Sequence, residues 1–481
     1  MLTREEIERA YNAGPEAVIA IITQLMQQNA ELMKRVESLE ARLNKDSHNS
    51  HKPPSSDGYS KPARTQSQRK KTGRRSGGQP GHMGTTLEMV EQPDQVIEHR
   101  AERCQSCGAA LGAGESQVVE RRQVFDLPPV EMEVTEHRSL RSVCGKCGCE
   151  TTGEFPAQVS QPVQYGAGVK SLLMYWHAQQ LLPLERSCEV MSDVLGVSLS
   201  EGTLVNAVSQ CAERLIPVEN QIKEAIIVSK VVHFDETGMR IEIKLHWLHE
   251  AGTPMLTYYR VHAKRGSKAL DAIGILPSFE GMAMHDAYAS YWQYDCQHAL
   301  CNAHLLRDLT AIEEQTGQSW PREFKMLLIE IKDEVERRRQ LGGKRLDWKL
   351  RQDYESRYAH LLALGQQAHP PPQKVDQRRG RPKQTPARNL LDRLDEHRKS
   401  VLAFMYDFGV PFDNNLAERD LRMMKLKQKI SGCFRSLQGA EHFCRIRGYI
   451  STLRKQGIPI LHALRSLFEG TIVMPALGFT A

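Results

Sequence analysis

EAIIVSKVVHFDETG (Glu224–Gly238), MRIEIKLHWLHEAG (Met239–Gly252) and TPMLTYYRVH (Thr253–His262) follow one another without a long connection, and their reading decides the fold. All three are rich in β-branched, aromatic and aliphatic residues and carry Gly or Pro at their joints, which predicts three strands linked by short turns. SKALDAIGIL (Ser267–Leu276) has helical spacing, whereas GMAMHDAY (Gly281–Tyr288) and QHALCNAH (Gln297–His304) read as short strands. Residues 313–400 are charged and helical in pattern, interrupted by the loop HPPPQKVDQRRGRPKQTPAR (His369–Arg388). A further helix opens at DNNLAERDLR (Asp413–Arg422).

The order strand, hairpin, helix, strand, strand, helix is that of an RNase H-like mixed sheet with a helical insertion. Three acids stand at element ends in this reading: Asp235 in VVHFDET, Asp286 in GMAMHDAY and Glu418 in the first turn of the later helix. Such positions converge at one edge of the sheet, where unpartnered carboxylates repel one another and raise a pKa unless divalent cations neutralise them. Oxygen ligands of this kind suit two Mg²⁺ or Mn²⁺ ions about 4 Å apart, which activate a water or a 3′-hydroxyl and stabilise the leaving oxygen. Glu418 has a local rival reading, a capping box with Asn415 as N-cap, worth on the order of 1 kcal/mol. His304 either approaches the scissile phosphate or packs with Cys301 beneath the sheet. His233, two residues from Asp235 on the same strand face, either orients it or is a buried histidine satisfied by backbone. Arg419, Arg422, Lys425, Lys427, Lys429 and Arg435 form a candidate phosphate track. Arg379 and Arg381 in Arg-Gly-Arg-Pro have the pattern of a minor-groove hook, or else of a solvated basic loop.

Towards the N-terminus, Val18, Ile22, Leu25, Asn29, Leu32, Val36, Leu39 and Leu43 alternate by four and three residues, the seam of a coiled coil. Asn29 at an a position would fix register in a parallel pair; the alternative is an amphipathic helix packed on its own protein. Residues 44–86 hold nine Lys/Arg against Asp46 and Asp57, a local charge of +7 that leaves −1 for the rest of a chain whose total is +6. This arm is too polar to bury a core and is suited to counterion release from DNA, unless it is a plain linker. Cys104 and Cys107 in CQSCGA, with Cys144 and Cys147 in CGKCGC, form two C-x-x-C-G knuckles that predict structural Zn²⁺. The alternating stretch between them predicts the strands of a zinc ribbon. In ERSCEVMSDVLGVSLSEGTLVNAV (Glu185–Val208), a helix, a turn at Gly196 and a helix capped by Ser200 make either a helix-turn-helix or an ordinary helical hairpin.

At 481 residues the chain exceeds one ordinary core. No apolar run approaches the roughly 18 residues of a bilayer span, which predicts a soluble cytoplasmic protein with no membrane partner, nucleoid-associated when bound to DNA. The eleven cysteines argue for metal binding or burial over a disulfide framework.

Taken together, NSHKPPSSDG, GGQPGH, the paired knuckles, RQVFDLPP, HFDETG, HDAYASYW, CNAHLLRDL and DNNLAERDLR through SGCFRS resemble the large transposase of the insertion-sequence-66 family. The resemblance runs from about residue 20 to the C-terminus. It implies a leucine-zipper-like start, a zinc-binding domain, a DDE core with acids at Asp235, Asp286 and Glu418, and accessory proteins encoded by the same element. QKISGCFRS departs from the more basic block expected there. The resulting layout is a coiled coil (1–46), a basic linker (47–90), a zinc ribbon (91–155), a helix-turn-helix-like region (156–225), the core's first part (226–312), a helical insertion (313–397), the core's second part (398–436) and a helical end (437–481). The expected activity is cleavage at the element's ends and transfer of 3′-hydroxyls into target DNA. A non-catalytic zinc-ribbon regulator and a nuclease that never joins strands are the competing readings.

Overall fold

A computed structural model describes residues 4–43, 49–50, 87–111, 117–127, 132–372 and 384–478. The basic arm at 51–86 and the Arg379–Arg381 hook lie outside the described residues. Two units divide the chain, one formed by Met1–Pro62 with Thr135–Ala481, the other by Ala63–Val134.

In the smaller unit the first knuckle is a tight turn. Cys104 N–H bonds to Ala109 O (2.9 Å), Gly108 N–H bonds back to Cys104 O (2.9 Å), and Gly108 adopts φ +74°, a value that favours glycine. Residues 117–127 form no strand. Their alternation lacks a surface to bury against, since Val119 and Val124 are almost fully exposed. Among the described residues between the knuckles, the expected ribbon strands are thus corrected to one short strand.

In the larger unit, α1 (Arg4–Asn12) and α2 (Pro15–Leu43) are joined at Gly14, and Pro15 opens α2 with its preset φ. Ile22, Leu25, Leu32, Val36 and Leu39 all stand exposed on α2. The strand β1 (Arg141–Val143) pairs antiparallel with β2 (Glu150–Thr152) around the second knuckle. This knuckle repeats the first: Cys144 N–H bonds to Cys149 O, Gly148 N–H to Cys144 O, and Gly148 has φ +72°.

The helices α3 (Ala167–Met174), which runs on into a π-helical turn, α4 (Leu184–Leu195), α5 (Glu201–Arg214) and α6 (Ile216–Ile227) lead into the sheet. Gly196 ends α4 at φ +63° and Ser200 Oγ accepts from Thr203 N–H to cap α5, as the residues predict. Leu173, Met191, Val197 and Leu204 close a small core between these helices.

The strands β3 (Val231–Ile241), β4 (Lys244–Gly252) and β5 (Thr257–His262) form an antiparallel meander. After α7 (Ser267–Ile273), β6 (Met282–His285) and β7 (Gln297–Leu300) add in parallel to the other side of β3, giving the order β5-β4-β3-β6-β7. A Cβ on Gly281 would lie 2.5 Å from Ser229 O and 2.7 Å from the Phe279 ring, so only glycine lets the chain enter β6 this close to β3. One sheet face packs Val232, Phe234 and Ala251 on α6 and α7; the other packs Met239, Leu248 and Tyr259 under the C-terminal helices.

Glu224–Ile227, read as strand, belongs to α6. Its Val218, Ile222, Ala225 and Ile226 are buried at helical spacing, and strand begins only at Val231. Met239–Ile241, expected to start the second strand, instead finishes β3, and the hairpin turns at Glu242 and Ile243. Both have positive φ (48° and 70°), the requirement of a type I′ turn, although neither residue favours it. Phe434 pins the tip, donating from N–H to Arg240 O and accepting from Glu242 N–H. Because the Ile243 side chain is 78% exposed, Ile243→Gly removes strain without emptying a core. The expected gain is about 1 kcal/mol, read as a rise of roughly 2 °C in the melting temperature.

The remaining elements are helical: α8 (Asn302–Thr316), α9 (Trp320–Gln340), α10 (Trp348–Ala368), α11 (Pro386–Glu396), α12 (Arg398–Val401), α13 (Ala403–Tyr406), α14 (Asn415–Ser431), α15 (Leu437–Lys455) and α16 (Ile460–Glu469). Helices α8 to α13 share a core of their own around Phe324, Ile331, Tyr358 and Leu391. Helix α15 lies against β5, where Thr452 Oγ1 accepts from Thr257 N–H (3.0 Å) and donates to Thr257 O (3.3 Å). No described helix is long and apolar enough to cross a membrane.

Candidate active site

Asp235 lies midway along β3 and Asp286 immediately follows β6, at matching levels of two parallel neighbours. Each carboxylate is oriented by backbone: Asp235 Oδ1 accepts from Glu236 N–H (2.8 Å), Asp286 Oδ1 from Tyr288 N–H (2.9 Å). The third acid is brought in by Asn414. This buried residue precedes α14, its Oδ1 accepts from His233 Nδ1–H (2.7 Å), and its Nδ2–H donates to Phe234 O (2.9 Å). Its own N–H points at Cys301 Sγ (3.2 Å). One residue therefore ties the start of α14 to β3 through its side chain and to the β7–α8 junction through its main chain.

The capping-box reading of Glu418 fails here. Asn415 is already helical, and its N–H bonds to Asp413 Oδ1 (3.2 Å) instead. Glu418 turns towards α8, with Oε1 3.5 Å from His304 Nε2 and 4.0 Å from Arg307 Nη1. His233, for its part, is satisfied by the Asn414 side chain rather than by backbone, and burial lowers its pKa.

The electrostatics join these acids. The Asp235 carboxyl is pushed up to about 8, chiefly by burial, then by the charges of Glu236 and Asp286 and, more weakly, Glu418. Nearly buried Glu236, on the opposite face of β3, is also raised, first by burial; it is met by Tyr291 O–H (2.5 Å) and Arg265 Nε–H (2.7 Å). Directly across the ladder from Asp235 stands Glu250, fully buried and held well above the carboxylate range by burial and by Asp420. Asp420 in turn accepts from Lys455 Nζ–H (2.6 Å).

A cluster of this kind, all oxygen and short of positive charge, fits hard divalent cations in its donor chemistry. Its spacing is looser than a finished metal cage: among the described residues, no group of three or more His, Cys, Asp or Glu is gathered to hold an ion.

Along α14 and the loop after it, Arg419, Arg422, Lys425, Lys429 and Arg435 are exposed. Lys427 leaves the expected track, being buried with Nζ 3.2 Å from Ser431 Oγ and 5.8 Å from the Phe443 ring centroid. Glu236, Glu250, Arg265 and Asn414 were not singled out as functional residues in the sequence. A signal existed for Glu236, an acid alternating with Asp235 on a strand buried on both faces, which demands a partner. Glu250 and Arg265 reveal themselves only through register and packing.

The model of the transposase IS66 family matches residues 162–442, from α3 into α15. The chain belongs to the IS66 transposase family. The transposase also matches the zinc-finger binding domain of transposase IS66 over residues 101–148, which include both knuckles and support structural zinc. A family of unknown function (DUF6444) matches residues 6–88. No curated protein matches the transposase. Among solved structures it is similar to the Drosophila P element transposase strand transfer complex, with 10% identity, 63% of this chain and 94% of that one covered, and a TM-score of 0.30.

In both knuckles the first thiol, Cys104 or Cys144, is lowered by backbone N–H groups and by its paired cysteine, which favours the metal-binding thiolate. The purified transposase is expected to carry about one zinc per chain by atomic absorption, and Cys144→Ser to lose it.

Proposed function

We propose that the transposase cleaves DNA at the ends of its insertion sequence and transfers the freed 3′-hydroxyls into target DNA, using Asp235, Asp286 and Glu418. The observation that carries this reading is the placement of Asp235 on β3 level with Asp286 after β6, where the charges of Asp286 and, more weakly, Glu418 add to the burial that raises the Asp235 carboxyl. The strand order β5-β4-β3-β6-β7 supports it as the order of an RNase H-like core.

Asp235, Asp286 and Glu418 would hold Mg²⁺ or Mn²⁺, two ions when loaded. Such ions activate the attacking oxygen and stabilise the leaving one. The chain's own groups do the rest. His304 orients the Glu418 carboxylate, Asn414 fixes the helix that bears it, and backbone N–H groups aim the two aspartates. Exposed Arg419, Arg422, Lys425, Lys429 and Arg435 receive the phosphate backbone. Arg379 and Arg381, outside the described residues, add contacts from the insertion's loop.

The domain reading follows the same order: 1–46 pairs two protomers through α2, 47–90 and the zinc ribbon at 91–155 contact DNA, and 156–225 positions it. The exposed apolar stripe of α2 supports self-association. Proteins encoded by the same element are further partners, and the cytoplasm, with its nucleoid, is the site of action.

Labelled element ends incubated with Mg²⁺ test the activity. Wild type cuts them and joins precut ends to a target plasmid, while Asp286→Asn binds as tightly and does neither. Equal binding without cutting by either protein would make the chain a DNA-binding regulator, and cutting without joining would make it a nuclease.

A further inference from the structure

A cavity of about 210 Å³ opens beside Asp286 and is lined by Arg265, Tyr288, Cys301, His304 and Arg393 among others. The two arginines reach it from distant parts of the chain, Arg265 from the segment after β5 and Arg393 from α11 of the helical insertion.

Both guanidiniums are anchored. Arg265 is gripped by Glu236 (2.7 Å), whose side chain is only 2% exposed, and lies over the rings of Tyr288 (4.1 Å) and Trp247 (4.9 Å). Arg393 Nη1–H donates to Asp308 Oδ2 (3.0 Å). A guanidinium has five N–H donors, so one anchored carboxylate leaves a face of donors free to meet another anion. Side chains fixed in this way give up little entropy on binding, and their forks match phosphate oxygens.

We propose that Arg265 and Arg393 together seat a backbone phosphate of the DNA strand next to the phosphate that is cut, with Glu236 as the positioning residue for Arg265. This rests on the reading of Asp286 as part of the cutting site. DNA is the occupant that the chemistry selects, because the cavity shares its wall with Asp286 and His304 and offers guanidinium forks with an aromatic ring rather than an apolar groove. The helical insertion thereby supplies half of the seat.

Duplexes taken from the DNA flanking the gene, with one phosphate at a time replaced by a neutral methylphosphonate, test the proposal. With wild type, neutralising a phosphate beside the cut is expected to lower the cutting rate about tenfold or more. In Arg265→Gln and Arg393→Gln the same replacement adds less than about twofold, because the contact is already lost. Arg265→Lys keeps the charge but not the fork and falls between. Glu236→Gln is expected to lower the rate at saturating DNA more than it weakens binding, a split that general loss of folding does not produce.

Equal interference in wild type and both Gln variants overturns the seat. Should Arg265→Gln not fold, Arg393→Gln decides alone, since Arg393 belongs to the insertion. Asp286→Asn separates the two readings: if it cuts like wild type, the cutting site is elsewhere, while the same interference measured as binding to Asp286→Asn still tests the seat.

Discussion

Asp235→Asn is expected to abolish cutting and, in the metal-free protein at pH 8, to increase stability. The carboxyl of Asp235 is held at about 8 against an ordinary 3.8, mostly by burial and then by neighbouring acids. A group raised in the folded state contributes stability that is complete below its unfolded pKa and is lost as pH rises through the folded value. Metal-free wild type therefore weakens as the pH rises from about 4 to about 8. In the asparagine variant this slope flattens. Added Mg²⁺ should raise the melting temperature of wild type at pH 8 and leave the variant nearly unmoved. Thermal melts across pH, with chelator or Mg²⁺, measure all four conditions; a variant less stable than wild type at pH 8 without metal would falsify the electrostatic account.

Asn414→Ala is expected to have the largest effect of any substitution outside the three acids. It strips a buried histidine nitrogen and a buried carbonyl of their partners at once, and each orphaned group costs about 1–3 kcal/mol. The first turn of α14 then loses its tie to β3, and cutting is expected to fall about 100-fold or more. Asn414→Asp is the instructive companion. Its carboxylate still accepts from His233 but no longer donates to Phe234 O, and the added negative charge raises the His233 pKa. Partial stability with a shifted histidine titration, followed by NMR, is the outcome that matches the geometry.

Much of the sheet was legible because strand alternation and Gly-bounded joints are local signals, and the acids could be placed from them. Boundaries were less legible. AIIV (225–228) is apolar in every register, so nothing within it distinguishes the end of α6 from the start of β3. The hairpin tip went unread because Glu242 and Ile243 lack the Asn-Gly chemistry of their turn, which a distant Phe434 backbone holds in place. Glu418 showed both a cap and a ligand pattern in sequence. The cap reading fails only in the structure, where Asn415 is already helical and its N–H bonds to Asp413. Glu250 and Arg265 stayed hidden since their partners lie across the ladder or on another strand, and the stretch between the knuckles had alternation without a face to pack on.

Asn414 also has a bearing on synthesis. It joins β3 to a helix whose first residue is encoded some 180 positions later. A ribosome that stalls within the insertion leaves a nascent product with both aspartates but no glutamate beside them. On the assignment above, such a product holds an incomplete set of acids, and the cutting site is assembled only after α14 has been made.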